Sequence, residues 1–144
     1  MRHLTPTIAL FLAVLIAAGC DSDSSSSPTR TTDDPPVVTI TAPEENDSWF
    51  VDTYDDTAGE WYIEVSFTST VMDDEDGEVE ASSIVWKAQA DGHDQETLGT
   101  GENLTARLYS KQPFGTPYTI TLEATDSAGN TTTASVSVIV NILS

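Results

Sequence analysis

YTITLEATDSAGNTTTASVSVIV, residues 118–140, decides the fold. Tyr118, Ile120, Leu122 and Ala124 alternate with Thr119, Thr121 and Glu123. Ala134, Val136, Val138 and Val140 alternate with Ser135, Ser137 and Ile139. Successive side chains leave a strand on opposite faces, so this period-two pattern marks strands with one buried face. Ala128-Gly129-Asn130, between the two runs, supplies turn residues.

The same pattern recurs outward from this stretch. Val38, Ile40 and Ala42 alternate with Thr39 and Thr41. Trp61, Ile63, Val65, Phe67 and Ser69 alternate with Tyr62, Glu64, Ser66 and Thr68. Ile84, Trp86 and Ala88 alternate with Val85 and Lys87, and Leu104, Ala106 and Leu108 with Thr105 and Arg107. Asp76-Gly77, Asp91-Gly92 and Gly99-Thr100-Gly101 read as turns between them. No stretch carries a helical period. Six or seven one-faced strands over residues 37–142 predict an all-β chain, an antiparallel two-sheet sandwich.

VVTITAP (37–43), DDEDG (73–77), SSIVW (82–86), LGTG (98–101) and YTITLEATDSAGN (118–130) together resemble bacterial Ig-like domains. The pattern is close to polycystic-kidney-disease-type and cadherin-like modules. The resemblance implies an Ig-like sandwich with Trp86 as the buried tryptophan of the third strand and Tyr118 opening the sixth. It also implies a non-catalytic role in adhesion, structure or accessory binding. Tyr54 to Glu60 reads as an insertion, and Asp74 stands where members often carry Pro.

Upstream the composition changes twice. Residues 1–19 read as a signal peptide, with Arg2 ahead of an eleven-residue apolar run from Ile8 to Ala18. That run is too short to span a bilayer as a helix, which takes about 20 residues. It ends in Ile16-Ala17-Ala18-Gly19-Cys20, which resembles the lipobox of bacterial lipoproteins. The resemblance makes Cys20, the chain's one cysteine, the lipidated first residue of the mature protein, carrying a diacylglycerol on its thiol. Stable anchoring takes more than one acyl chain, which such lipidation supplies. Location at the bacterial cell envelope follows, on the periplasmic or the surface side. Residues 20–36 then form a Ser-, Pro- and Asp-rich tether with no large apolar side chain, expected to stay flexible. Its sixteen residues after Cys20 reach at most about 50 Å.

Twenty-four acidic residues against five Lys and Arg give a formal charge of −19. Phosphate binding needs clustered cations, so nucleic acid is excluded as a partner. The acidity also suits a domain bathed in high salt. An enzyme is not expected. After signal removal His93 is the one histidine, in the polar stretch ADGHDQE. No G-x-S-x-G turn or Gly-rich phosphate loop occurs.

Two groups of residues remain as candidate sites. In an Ig-like sandwich the loop holding Asp73, Asp74, Glu75, Asp76 and Glu78 converges with Asp126, Asn130 and the N-terminal approach at Asp33 and Asp34. Gathered carboxylates repel one another unless a cation sits among them, and calcium takes six to eight oxygen ligands. Asp73, Asp74, Asp76, Glu78 and Asp126 are therefore the candidate calcium ligands. The competing reading is a solvated loop whose aspartates cap turns. The second group is Trp49, Tyr54, Trp61 and Tyr62 among acidic residues, where aromatics could stack on a sugar or grip a peptide. The expectation from sequence is a membrane-anchored, non-catalytic interaction or structural module, with calcium as the possible cofactor and a protein or glycan partner. A carbohydrate-binding accessory domain is the alternative.

Overall fold

The computed structural model describes residues 33–143. The expected signal peptide, the expected lipidation site Cys20 and the expected tether up to residue 32 lie outside the described residues. Among these residues nine strands form: β1 Val37–Ala42, β2 Ser48–Phe50, β3 Thr53–Asp55, β4 Glu60–Met72, β5 Ile84–Ala90, β6 Gln95–Thr100, β7 Asn103–Tyr109, β8 Thr116–Thr125 and β9 Thr131–Asn141. The fold is the all-β, largely antiparallel sandwich that the alternation predicts, with nine strands where six or seven were expected.

One sheet is built on β4. Tyr62 pairs with Thr53 and with Tyr109, and Thr68 pairs with Ala42 and with Asn103. Strands β3 and β1 thus share one edge of β4, and β7 takes the other. The second sheet runs β2-β9-β8-β5-β6, antiparallel except for β2, which lies parallel to β9. The inward residues of both sheets close the core: Phe67, Ile84, Trp86, Leu108, Ile120, Leu122, Val138 and Val140 are fully or almost fully buried. Phe67 and Trp86 meet across the two layers at 5.4 Å between ring centroids. Trp86 is 0% exposed and its Nε1 donates to the Gly101 carbonyl at 2.9 Å, so its one polar atom is satisfied.

Three strands escape the alternation. Gly99-Thr100-Gly101 does not form a turn as a whole: Gly99 and Thr100 belong to β6, and the turn follows at Gly101 and Glu102. Strand β6 is an edge strand with Gln95, Glu96 and Thr97 all exposed, so it has no apolar rhythm to read. The segment expected as an insertion before β4 starts with part of β3, which folds back on β4 through Thr53–Asp55. Strand β2 is three residues long.

The strand directions give the sandwich two poles. Asp73 after β4, Asp126 after β8 and the entry to β1 lie at one. The start of β4, the end of β9 and the β7–β8 connection lie at the other. Twelve residues from Trp61 to Asp73 place the poles about 40 Å apart.

The domain boundary set at residue 37 moves upstream. Pro36 is fully buried, and Asn130 Nδ2 donates to the Asp33 carbonyl at 3.1 Å, so residues 33–36 belong to the sandwich rather than to the tether.

Candidate metal centre

The loop after β4 closes on itself. Asp73 N–H donates to the Gly77 carbonyl at 3.0 Å and Gly77 N–H to the Asp73 carbonyl at 2.8 Å. Gly77 closes the loop at φ +78°, a left-handed conformation that glycine adopts without a Cβ penalty. Inside the loop, Asp73 Oδ1 accepts from Glu75 N–H at 2.9 Å and from Asp76 N–H at 2.8 Å. Asp76 Oδ2 accepts from Ser127 N–H at 3.0 Å and so ties this loop to the β8–β9 turn. That turn is held by Asp126, whose Oδ1 accepts from Asn130 N–H at 2.7 Å and whose Oδ2 accepts from Asn130 Nδ2 at 2.8 Å. Through Asn130 Nδ2 the same turn reaches the Asp33 carbonyl. Three chain segments meet at one pole, as the Ig-like arrangement predicts.

The meeting brings one carboxylate oxygen each from Asp33, Asp73 and Asp76 within 4.8 Å of one another. Asp73 is 3% exposed, and its second oxygen, Oδ2, is buried without a hydrogen-bond partner. A buried carboxylate oxygen left unpaired is costly, and native structures nearly always satisfy such atoms. No cation among the described residues offsets it. Among the described residues Lys87 pairs with Glu123 at 2.9 Å, Arg107 with Asp55 at 3.0 Å and Lys111 with Glu60 at 2.6 Å, and none of them bonds to Asp33, Asp73 or Asp76. Burial pushes the Asp33 carboxyl above the ordinary aspartate range, and the charges of Asp126, Asp76, Asp73 and Asp34 push it further. Burial likewise raises Glu75, helped by Asp34, Asp73 and Asp33. Three close carboxylates, one of them with an orphaned buried oxygen, are the donor set that a hard divalent cation takes.

The five residues expected as calcium ligands divide. Asp73 and Asp76 come together. Asp126 is 7% exposed and spends both oxygens on Asn130; burial raises its carboxyl, but the hydrogen bonds from Asn130, Gly129 and Ala128 outweigh that and hold it low. Asp74 is exposed, and Glu78 is exposed on the rim of an acidic cleft with Asp76, Glu80 and Asp126. Asp33 takes the third place. The sequence already brings Asp33 and Asp34 to this pole but leaves them out of the ligand set, because they stand in a linker-like stretch.

The aromatic group sits at the opposite pole and also divides. Trp61 is 42% and Tyr54 46% exposed, with ring centroids 5.4 Å apart and planes at 61°. The pair is edge-on rather than a flat platform. Trp61 has inward parity but stands past the end of the core, against Val51, Ile142 and Leu143. Tyr62, on the outward face, is covered: the Arg107 guanidinium lies 4.3 Å above its ring, with Tyr109 at 5.7 Å. Trp49 is half-buried against the core. His93 lies in an exposed turn with Nδ1 3.0 Å from the Asp91 carbonyl.

Comparison with protein-family models, with curated proteins and with solved structures finds no match to this chain.

Proposed function

We propose that this chain is a lipid-anchored, non-catalytic module of the bacterial cell envelope whose sandwich is stabilised by calcium at the pole where the chain enters it. The observation that carries the reading is the buried, unpartnered Asp73 Oδ2 beside the Asp33 and Asp76 carboxylates. Asp33, Asp73 and Asp76 would hold the ion, which would supply a positive charge that no side chain among the described residues brings to them. Asp33 is thirteen positions after Cys20, a reach of at most about 45 Å. A lipid on Cys20 would therefore hold the sandwich within that distance of the membrane, leaving the exposed Trp61 and Tyr54 as the candidate contact with a partner.

The anchor has a direct test. The full chain expressed in a bacterial host should incorporate labelled palmitate and fractionate with membranes. Cys20→Ala should do neither, because the thiol that carries the diacylglycerol is gone. Unlabelled wild-type protein recovered in the soluble fraction would refute the anchor.

Exposure of Trp61 and Tyr54 favours a second reading, a carbohydrate-binding accessory domain with Trp61 stacked on a sugar ring. Titration with oligosaccharides of glucose and of N-acetylglucosamine should then change tryptophan emission in wild type and not in Trp61→Ala.

A further inference from the structure

The third carboxylate of the cation site comes from the chain that enters the domain, and this gives the site a second consequence. Asp33 lies upstream of β1, outside both sheets. Two other observations hold the segment in place: Pro36 is buried, and the Asp33 carbonyl accepts from Asn130. The Asp33 side chain works against them. It faces Asp73 and Asp76 at a distance where like charges repel, and nothing cationic among the described residues stands between them.

We propose that the site is a metal-operated latch: a divalent cation bound by Asp33, Asp73 and Asp76 fastens residues 33–36 to the pole of the sandwich, and its loss releases them. The proposal rests on the calcium reading above. With the ion in place, the same contact that satisfies Asp73 Oδ2 turns the repulsion at Asp33 into attachment. Without it, one hydrogen bond and the burial of Pro36 must hold the segment against that repulsion. The length of chain between Cys20 and the sandwich then depends on the calcium level, because the sandwich begins at residue 33 in one state and after Pro36 in the other.

Arg30 gives the latch a reporter. It is three residues from Asp33. Trypsin needs several residues extended on each side of the bond it cuts, so an attached Asp33 should protect the Arg30–Thr31 bond. The full chain, solubilised in mild detergent, would be digested in calcium, in magnesium at matched ionic strength, and in EDTA. Fragments would be assigned by mass, and a peptide of residues 21–36 digested alongside would correct for effects on the protease. Thermal unfolding would be measured in the same three buffers.

If cutting requires the released state, calcium at 100 times its dissociation constant should slow cleavage after Arg30 up to about 100-fold. The unfolding midpoint should rise in the same buffer. Asp33→Ala should lose the protection while still showing a calcium-dependent midpoint at higher calcium, since Asp73 and Asp76 remain. A calcium-raised midpoint with unchanged cutting after Arg30 would overturn the latch and leave the metal site standing. Protection that persists in Asp33→Ala would also overturn it. A midpoint and a cleavage rate both indifferent to calcium would remove the metal site and the latch together.

Discussion

Asp73 carries two opposite duties in one side chain. Oδ1 shapes the loop by accepting two backbone N–H groups, and Oδ2 is left buried with nothing. Asp73→Asn separates them, since an amide keeps an acceptor for the loop and removes the charge. In EDTA the variant should be more stable than wild type, because one of three mutually repelling carboxylates is gone. In calcium it should be less stable, because the ligand is gone. Thermal unfolding in the two buffers checks this crossing; a purely loop-shaping aspartate would leave the two proteins in the same order in both. Trp86 gives the corresponding test of the core. Trp86→Ala removes a fully buried ring and its bond to Gly101, and should cost about 3–5 kcal/mol by denaturant titration. Much of this was legible in the sequence. Trp86 falls at an inward position of a regular alternation, and Asp73 and Asp76 lie in the densest acidic run. The orphaned oxygen was not legible, because it depends on which of two atoms on one carboxylate finds a donor.

At the scale of elements, alternation located the long strands and missed the short ones. β4, β8 and β9 have ten residues or more and carry the period over several repeats. β2 and β3 have three residues each, too few to show a period. What fixes β3 is a single side chain. Asp55 Oδ1 accepts from Thr57 N–H at 2.9 Å and Ala58 N–H at 3.1 Å, and Oδ2 accepts from Arg107 at 3.0 Å and from the Tyr109 hydroxyl at 3.1 Å. The β3–β4 turn is thereby bonded to β7 across the sheet. These bonds, the Ala58 N–H foremost, hold the Asp55 carboxyl below its ordinary value of 3.8. A carboxyl lowered by folding stabilises the native state at every pH above its unfolded value. That contribution is lost as pH falls through the lowered folded value. Acidification below pH 3.8 should therefore cost wild type more stability than it costs Asp55→Asn, and the gap between their unfolding midpoints should narrow. A gap that stays constant across that range would mean that Asp55 acts through its shape alone.

At the scale of the molecule, the three gathered carboxylates and a group of exposed aromatics lie at opposite poles. The acidic pole gathers Asp33, Asp73 and Asp76, while Phe50, Tyr54, Trp61, Phe114 and Leu143 are exposed toward the other. Partner binding at the far pole should be insensitive to Asp76→Asn, and calcium binding insensitive to Trp61→Ala, because about 40 Å of strand separates them. The convergence of three segments at the acidic pole was readable once the strands were ordered, since strand order fixes which loops share an end. The place where the tether stops was not. Composition runs on unchanged from Asp21 to Pro36, and burial of Pro36 depends on the finished sandwich. The central claim is the cation itself, and isothermal titration of calcium into the full chain tests it most directly. At constant ionic strength the account predicts one saturable site per chain, lost in Asp73→Asn and Asp76→Asn, and kept in Asp74→Asn and Glu78→Gln. No saturable heat, or the same heat from magnesium and in Asp73→Asn, would contradict it.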